Sequence, residues 1–220
     1  PMIRYAFLLI MAVNCLTGHG QTTDAVHEAG VSRELAQLRK QKVKDLRYDL
    51  RFSIPRDKHA PVTGEERIRF RLDVPTEIVI DFREAEEKIS EVRVNGKTAS
   101  YTFRNEHIIL PAVLTQAGEN AISVRFTAGD QSLNRNDDFL YSLSVPDRAR
   151  TIFPCFDQPN LKAVFTLTLE LPAEWVGVSN TRVTKEEKHA DKKTLHFAPT
   201  RPLSTYLFAF AAGRFEQRTY

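Results

Sequence analysis

The chain has 220 residues, 42% of them hydrophobic and 27% charged, with a formal net charge of +3 and two cysteines. Those proportions match an ordinary globular protein with enough chain to bury a core, and they exclude a disordered polymer. The small net charge demands no anionic partner, and two cysteines exclude a disulfide-built scaffold.

Met2-Ile3-Arg4 is a short basic segment. Tyr5 to Val13 is an unbroken apolar run, too short for a stable membrane span, and Asn14 to Gln21 is polar or small. That order predicts a secretory signal over 1–20, cleaved before Gln21, and hence a periplasmic or secreted location. Cys15 supports an alternative, a lipid-anchored form, although Asn14 stands where a lipobox has a small residue. Contact with a membrane is expected only if Cys15 is lipidated. Once 1–20 are removed, Cys155 remains as a lone cysteine in an apolar stretch, expected to be an inert core residue.

Residues 21–47 read as a flexible N-terminus followed by a short helix. Ser32 suits an N-cap; Leu35, Leu38 and Val43 recur at roughly helical spacing; Arg39, Lys40, Lys42 and Lys44 suit the negative end of a helix dipole. The spacing predicts a helix from Ser32 to Lys44, and the basic cluster reads as a solvated helix end.

From residue 48 onward the period changes to two. Tyr48, Leu50, Phe52 and Ile54 alternate with Asp49, Arg51 and Ser53. Ile68, Phe70, Leu72 and Val74 alternate with Arg67, Arg69, Arg71 and Asp73. Such alternation sets one face on a core and the other in water. The arginine row lacks the interleaved aromatics of a nucleic-acid surface, so no nucleic-acid partner is expected, and Glu65, Glu66 and Glu77 are expected to neutralise it. Ile78 to Phe82 reads as a strand. Val92 to Val94 runs into Asn95-Gly96, a hairpin turn, and Lys97 to Phe103 returns. His107–Leu110, Ala121–Thr127, Phe139–Ser144, Val164–Leu171, Thr194–Phe197 and Tyr206–Ala211 continue the series. The last is apolar on both faces, as a strand buried between layers would be. The fold class expected is mainly β: an antiparallel sandwich or saddle of packed sheets over 48–220, with one short N-terminal helix.

Catalytic chemistry is missing from the pattern. A hydrolytic zinc site needs three protein ligands and an open position. His27-Glu28 begins like H-E-x-x-H, but Val31 occupies the second histidine's place. His189 and His196 lie around an expected hairpin among Lys188, Lys192 and Lys193, a poor setting for a cation. There is no nucleophile elbow, and the adjacent Asp137 and Asp138 would point to opposite faces of a strand. No catalytic residue, metal ligand or cofactor is therefore assigned within this chain.

The stretch Ala149-Arg150-Thr151-Ile152-Phe153-Pro154-Cys155-Phe156-Asp157-Gln158-Pro159-Asn160-Leu161-Lys162-Ala163 resembles the aminopeptidase N pattern A-R-x-x-F-P-C-F-D-E-P-x-x-K-A, with Gln158 in place of glutamate. Ser179-Asn180 resembles the family's S-N. Ser204-Thr205-Tyr206-Leu207, with Phe210 and Gly213-Arg214-Phe215, resembles its S-T-Y-L-x-A-F-x-x-G-x-F ending. The likeness runs from about Tyr48 to Phe215. Within the first motif, Pro154 and Pro159 would stiffen a loop, Phe153, Cys155 and Phe156 would pack, and Asp157 could pair with Lys162.

The resemblance implies the non-catalytic N-terminal domain of a zinc aminopeptidase. Such a domain packs against a catalytic domain, absent here, that carries the zinc, the general base and a G-x-M-E-N motif. It also implies peptide substrates, met through the full-length protein. The family's T-Q-x-E-P segment, whose glutamine and glutamate help bind the substrate amine, aligns with Ser142-Leu143-Ser144-Val145-Pro146. Leu143, Ser144 and Val145 are thus the substrate-binding candidates, expected at a cleft edge. Valine cannot offer the ammonium a carboxylate. Leu143 and Val145 would instead make the first pocket apolar at this rim, if they are not simply core positions. The other reading is a stand-alone β-sandwich binding module, or a family member that has lost catalysis.

Overall fold

The Ser32 hydroxyl accepts the Leu35 N–H at 3.0 Å and so caps α1 (Arg33–Lys42). The helix stops two residues short of Lys44 because Val43 is extended, and the chain enters its first strand directly. A computed structural model describes residues 26–216; the expected signal segment and Cys15 lie outside the described residues.

The core strands are those with the clearest alternation. β1 (Lys44–Ser53) and β2 (Thr63–Leu72) pair antiparallel, with Tyr48 opposite Ile68 and Phe52 opposite Gly64. Beyond β2 lie β8 (Gly118–Thr127), β4 (Ile89–Val94) and β5 (Lys97–Thr98). On the other side of β1 lie β11 (Val164–Pro172), β14 (Lys192–Phe197) and β13 (Val183–His189), completing an eight-stranded sheet. The expected antiparallel arrangement holds throughout this sheet except between β1 and β11, which are parallel. No tight turn can join parallel neighbours, and more than a hundred residues separate these two.

Two small antiparallel sheets cover the inner face. One joins β3 (Ile78–Asp81), β7 (His107–Leu110) and β6 (Thr102–Arg104); the other joins β12 (Val176–Ser179), β15 (Phe210–Gly213), β10 (Phe139–Ser142) and β9 (Leu133–Arg135). One aromatic chain links the layers. Tyr48 stacks on Phe165 at 4.8 Å between ring centres, Phe165 on Phe208 at 4.7 Å, and Phe52 on Phe210 at 4.9 Å. Each such ring removed from water contributes about 1.5–3 kcal/mol.

Several expectations change. The return segment expected over Lys97–Phe103 is split, with Lys97–Thr98 in the large sheet and Thr102–Arg104 in the three-stranded one. The strand expected over Tyr206–Ala211 begins instead at Phe210; Thr205–Leu207 form a 3-10 turn that swings Leu207 outward and Phe208 into the core. The strand expected to reach Ser144 ends at Ser142. Arg69 pairs with Asp49 at 2.9 Å and Arg71 with Glu119 at 3.0 Å, not with the glutamates expected. Glu65 pairs with Arg125 at 3.6 Å and Glu77 with His27 at 2.8 Å. Glu66 sits on the core side of β2, between the Leu50 and Val124 positions, and its carboxyl is buried without a hydrogen-bond partner.

Candidate functional site

The 149–163 segment is a buried bracket, and its backbone is held from three directions. Cys155 bridges the Asp81 backbone in both directions, at 2.8 and 3.0 Å. The Asp157 N–H donates to Asp81 Oδ2 at 2.9 Å, and the Phe156 N–H donates to the Tyr48 hydroxyl at 2.9 Å. Asp157 in turn accepts from Thr205 Oγ1 at 2.7 Å and from the Arg150 N–H at 3.1 Å. The expected Asp157–Lys162 ion pair is therefore absent: Lys162 is exposed, while Asp157 turns inward to close its own loop and grip the Ser204-Thr205 turn.

Asp81 is the hub. Arg39 of α1 donates to both its oxygens, at 2.8 and 2.6 Å, and to the Val79 carbonyl at 2.8 Å. His107 Nδ1 lies 3.0 Å from Asp81 Oδ1, and His107 Nε2 lies 2.8 Å from the Glu28 carbonyl. Burial by itself would raise the Asp81 pKa, but Arg39 and His107 outweigh it and hold the carboxyl below its usual range. Asp157 goes the other way: burial raises it, and its bonds from Thr205 and Arg150 only partly offset that. Burial likewise pushes the Cys155 thiol well up, with Asp157 and Asp81 adding to the effect, and the side chain lies in the core.

This hub was missed in the sequence. A signal was present, since Asp81 interrupts the apolar run Ile78–Phe82, where a charge requires a partner. Its partner Arg39 was hidden among neighbouring basic residues.

The bracket adjoins the 141–145 segment. Leu143 and Val145 are 51% and 52% exposed, whereas Ser144 between them is buried at 3%, its hydroxyl without a partner. The Leu143 N–H donates to the Ser132 carbonyl at 2.8 Å, and the Ser144 carbonyl accepts from Arg148 at 2.8 Å, which leads straight into the Ala149–Thr151 turn. Leu143 and Val145 are thus not core positions; they point outward together and continue the exposed Tyr141. Tyr141 is in register with Ala211, and Ala211 with Val178, itself 51% exposed. The outer face across β12, β15 and β10 is consequently an apolar surface open to water, bordered by the exposed Asn134 of β9.

Zinc does not fit the histidines that reach into the fold. Both His27 nitrogens are engaged, Nε2 by Glu77 at 2.8 Å and Nδ1 by Arg104 at 2.7 Å. His107 is held between Asp81 and Glu28, and His196 between Thr168 and Glu187. Among the described residues no three of His, Cys, Asp and Glu form a metal-binding group.

Residues 44–207 match the family described as the peptidase M1 N-terminal domain. Aminopeptidase M1-B of Oryza sativa subsp. japonica is 47% identical over 68 residues, which are 31% of this chain and 8% of that protein. A probable M1 family aminopeptidase 1 of Encephalitozoon cuniculi is 30% identical over 166 residues, 67% of this chain and 19% of that one. The M1 zinc metallopeptidase from Deinococcus radiodurans shares the fold with a TM-score of 0.65 at 21% identity, over 78% of this chain and 42% of that chain. The chain spans less than a fifth of the length of these curated relatives.

Proposed function

Because this chain belongs to the peptidase M1 N-terminal domain family, we propose that it is the non-catalytic N-terminal domain of a secreted, zinc-dependent aminopeptidase and forms one rim of that enzyme's substrate cleft. The catalytic domain of the longer protein would hold the zinc and act on peptides. The observation that carries the reading is the outward row Tyr141, Leu143 and Val145, continuous with Val178 on the same sheet. A contiguous apolar face of this kind marks a surface that another body covers. The four-stranded sheet would pack on the catalytic domain, with Leu143 and Val145 at the edge where substrate enters. An apolar rim favours substrates with an apolar first side chain. Secretion rests on the order of Met2 to Gln21, and the mature protein should begin at Gln21; a diacylated Cys15 would replace that with the anchored form.

The test is made on the full-length protein. Arylamide hydrolysis should be lost on zinc chelation. Val145→Glu should lower KM for peptides with a free N-terminus and leave N-blocked substrates alone, because a carboxylate then faces the substrate amine. If both substrate classes are unaffected, the segment does not line the cleft. A stand-alone binding module is the second reading, favoured by apolar Leu143 and Val145 standing where an amine-binding glutamine and glutamate are expected. Peptide or glycan binding by a protein without arylamidase activity would select it.

A further inference from the structure

We propose that one end of the domain, formed by the α1–β1 junction and the 111–117 loop, rests on an anionic phospholipid surface. In this arrangement Val113 enters the interface, and Lys40, Lys42 and Lys162 face the headgroups.

The sheet register brings these parts together. Lys44 lies opposite Arg71, Leu72 opposite Gly118, and Ile78 opposite Leu110, so the last turn of α1 and the 73–77 and 111–117 loops share one end. Thr115 Oγ1 fastens the two loops, accepting the Thr76 N–H at 2.9 Å and donating to the Thr76 carbonyl at 3.0 Å. The stretch Ile108 to Gly118 contains no charged residue. At its tip Val113 is 86% exposed, more than any other large hydrophobic residue among those described, and Val74 in the adjoining loop is 52% exposed. A membrane interface takes up such side chains.

The surrounding charge is basic. Lys40, Lys44 and Lys162, together with Asp45, border a groove of about 450 Å³. Lys40 and Lys162 are exposed and have no ion-pair partner among the described residues, and Lys42 joins Lys44 in acting on Asp73. The carboxylates at this end are largely taken up: Asp73 by Lys44 at 2.6 Å, Glu77 by His27 at 2.8 Å and Glu119 by Arg71 at 3.0 Å. Asp45 lies 3.9 Å from Arg71.

Lysine ammonium groups on flexible stems suit a layer of headgroups better than bidentate reading of a single phosphate. A free phosphate would leave the apolar tip without a role, and none of these side chains is an aromatic that could stack a base. The inference does not rest on the peptidase reading.

Flotation with vesicles of the protein beginning at Gln21, which lacks the apolar run Tyr5–Val13, tests it. The protein should float with phosphatidylcholine vesicles containing roughly a third phosphatidylglycerol, far more than with phosphatidylcholine alone, and raised salt should release it. Lys40→Glu combined with Lys162→Glu should lower the partition coefficient by about tenfold or more. Val113→Asp should lower it several-fold, with unchanged circular dichroism because the side chain is exposed. Lys188→Glu, at the far end of the large sheet, should bind as wild type, and glycerol phosphate should not compete. Equal partition onto neutral vesicles, wild-type binding by Val113→Asp or by the double lysine variant, or displacement by glycerol phosphate would each overturn the proposal.

Discussion

Arg39 and Asp81, from a helix and a strand 42 residues apart, form a buried two-point ion pair with N–O distances of 2.8 and 2.6 Å. The same carboxylate accepts the Asp157 N–H, so the pair ties α1 to the 149–163 bracket. The Arg39 guanidinium also lies over the Phe156 ring, 5.3 Å from its centre.

Removing only the cation should leave a charge stranded in the core. Arg39→Met is expected to destabilise the domain by about 3–5 kcal/mol, because breaking a buried pair costs more than deleting it. The double variant Arg39→Met with Asp81→Leu should recover part of that loss. Urea unfolding midpoints of the two variants decide it; an Arg39→Met midpoint equal to wild type would show that His107 alone compensates Asp81.

Gln158 stands where the aminopeptidase N pattern has glutamate, and its amide nitrogen is engaged while its Oε1 is buried without a partner. Its buried amide donates to the Ala36 carbonyl of α1 at 3.0 Å and to Asn160 Oδ1 at 2.8 Å. A carboxylate offers neither donor. Gln158→Glu should therefore cost about 1–3 kcal/mol at neutral pH, read as a lowered thermal midpoint, and acidification should relieve part of the loss.

Glu66 gives stability a pH dependence of definite sign. Burial holds its folded-state pKa well above the usual carboxyl value. In the unfolded chain it ionises near about pH 4.3, so above that pH the folded state keeps a proton that the unfolded state has lost. Stability then falls as pH rises from there towards the folded pKa. Asp81 has the opposite sign: its pKa is lowered, so its contribution is present above the unfolded carboxylate range and lost on acidification. Glu66→Gln should flatten the fall on the alkaline side and leave the acid limb unchanged. Denaturant titrations between about pH 4 and 8 would show this, and an unaltered slope would refute it.

Gly64 admits the Phe126 ring across the β2–β8 pair; a Cβ at that position would clash with the Cζ edge of the ring. Phe126 in turn packs edge-on against Phe52 and Phe82, at 6.0 Å between centres in both cases. Gly64→Ala should thus overpack the core and cost about 1–3 kcal/mol. Measured stability equal to wild type would mean that the ring has room to move.

By itself the sequence determined the strongly periodic strands. Tyr48–Ile54, Ile68–Leu72 and Val164–Leu171 bury their apolar faces as their alternation requires, although Val74, expected to continue the second row, lies exposed beyond the end of β2, and Ser32 caps a helix close to the bounds its spacing predicts. It also carried the family, because the 149–163 stretch, Ser179-Asn180 and the Ser204–Phe215 ending survive as a linear pattern. The hairpin ahead of β14 was legible but the extent of β13 was not, since its Val183–His189 edge is polar on both sides, and the short β9 and β12 give period two too few residues to register. Tertiary structure alone decided what surrounds particular residues. Period two already sets Glu66 on the face of Ile68 and Arg67 on the other, but only the packing of β2 between β1 and β8 leaves the Glu66 carboxyl buried without a hydrogen-bond partner. Leu143 and Val145 could equally have been core or rim; the strand ends at Ser142, and the bracket behind it turns Ser144 inward and those two outward. Likewise the partner of Asp81 is 42 residues away, a separation that local sequence does not encode and that only the packed layers bring to hydrogen-bonding distance.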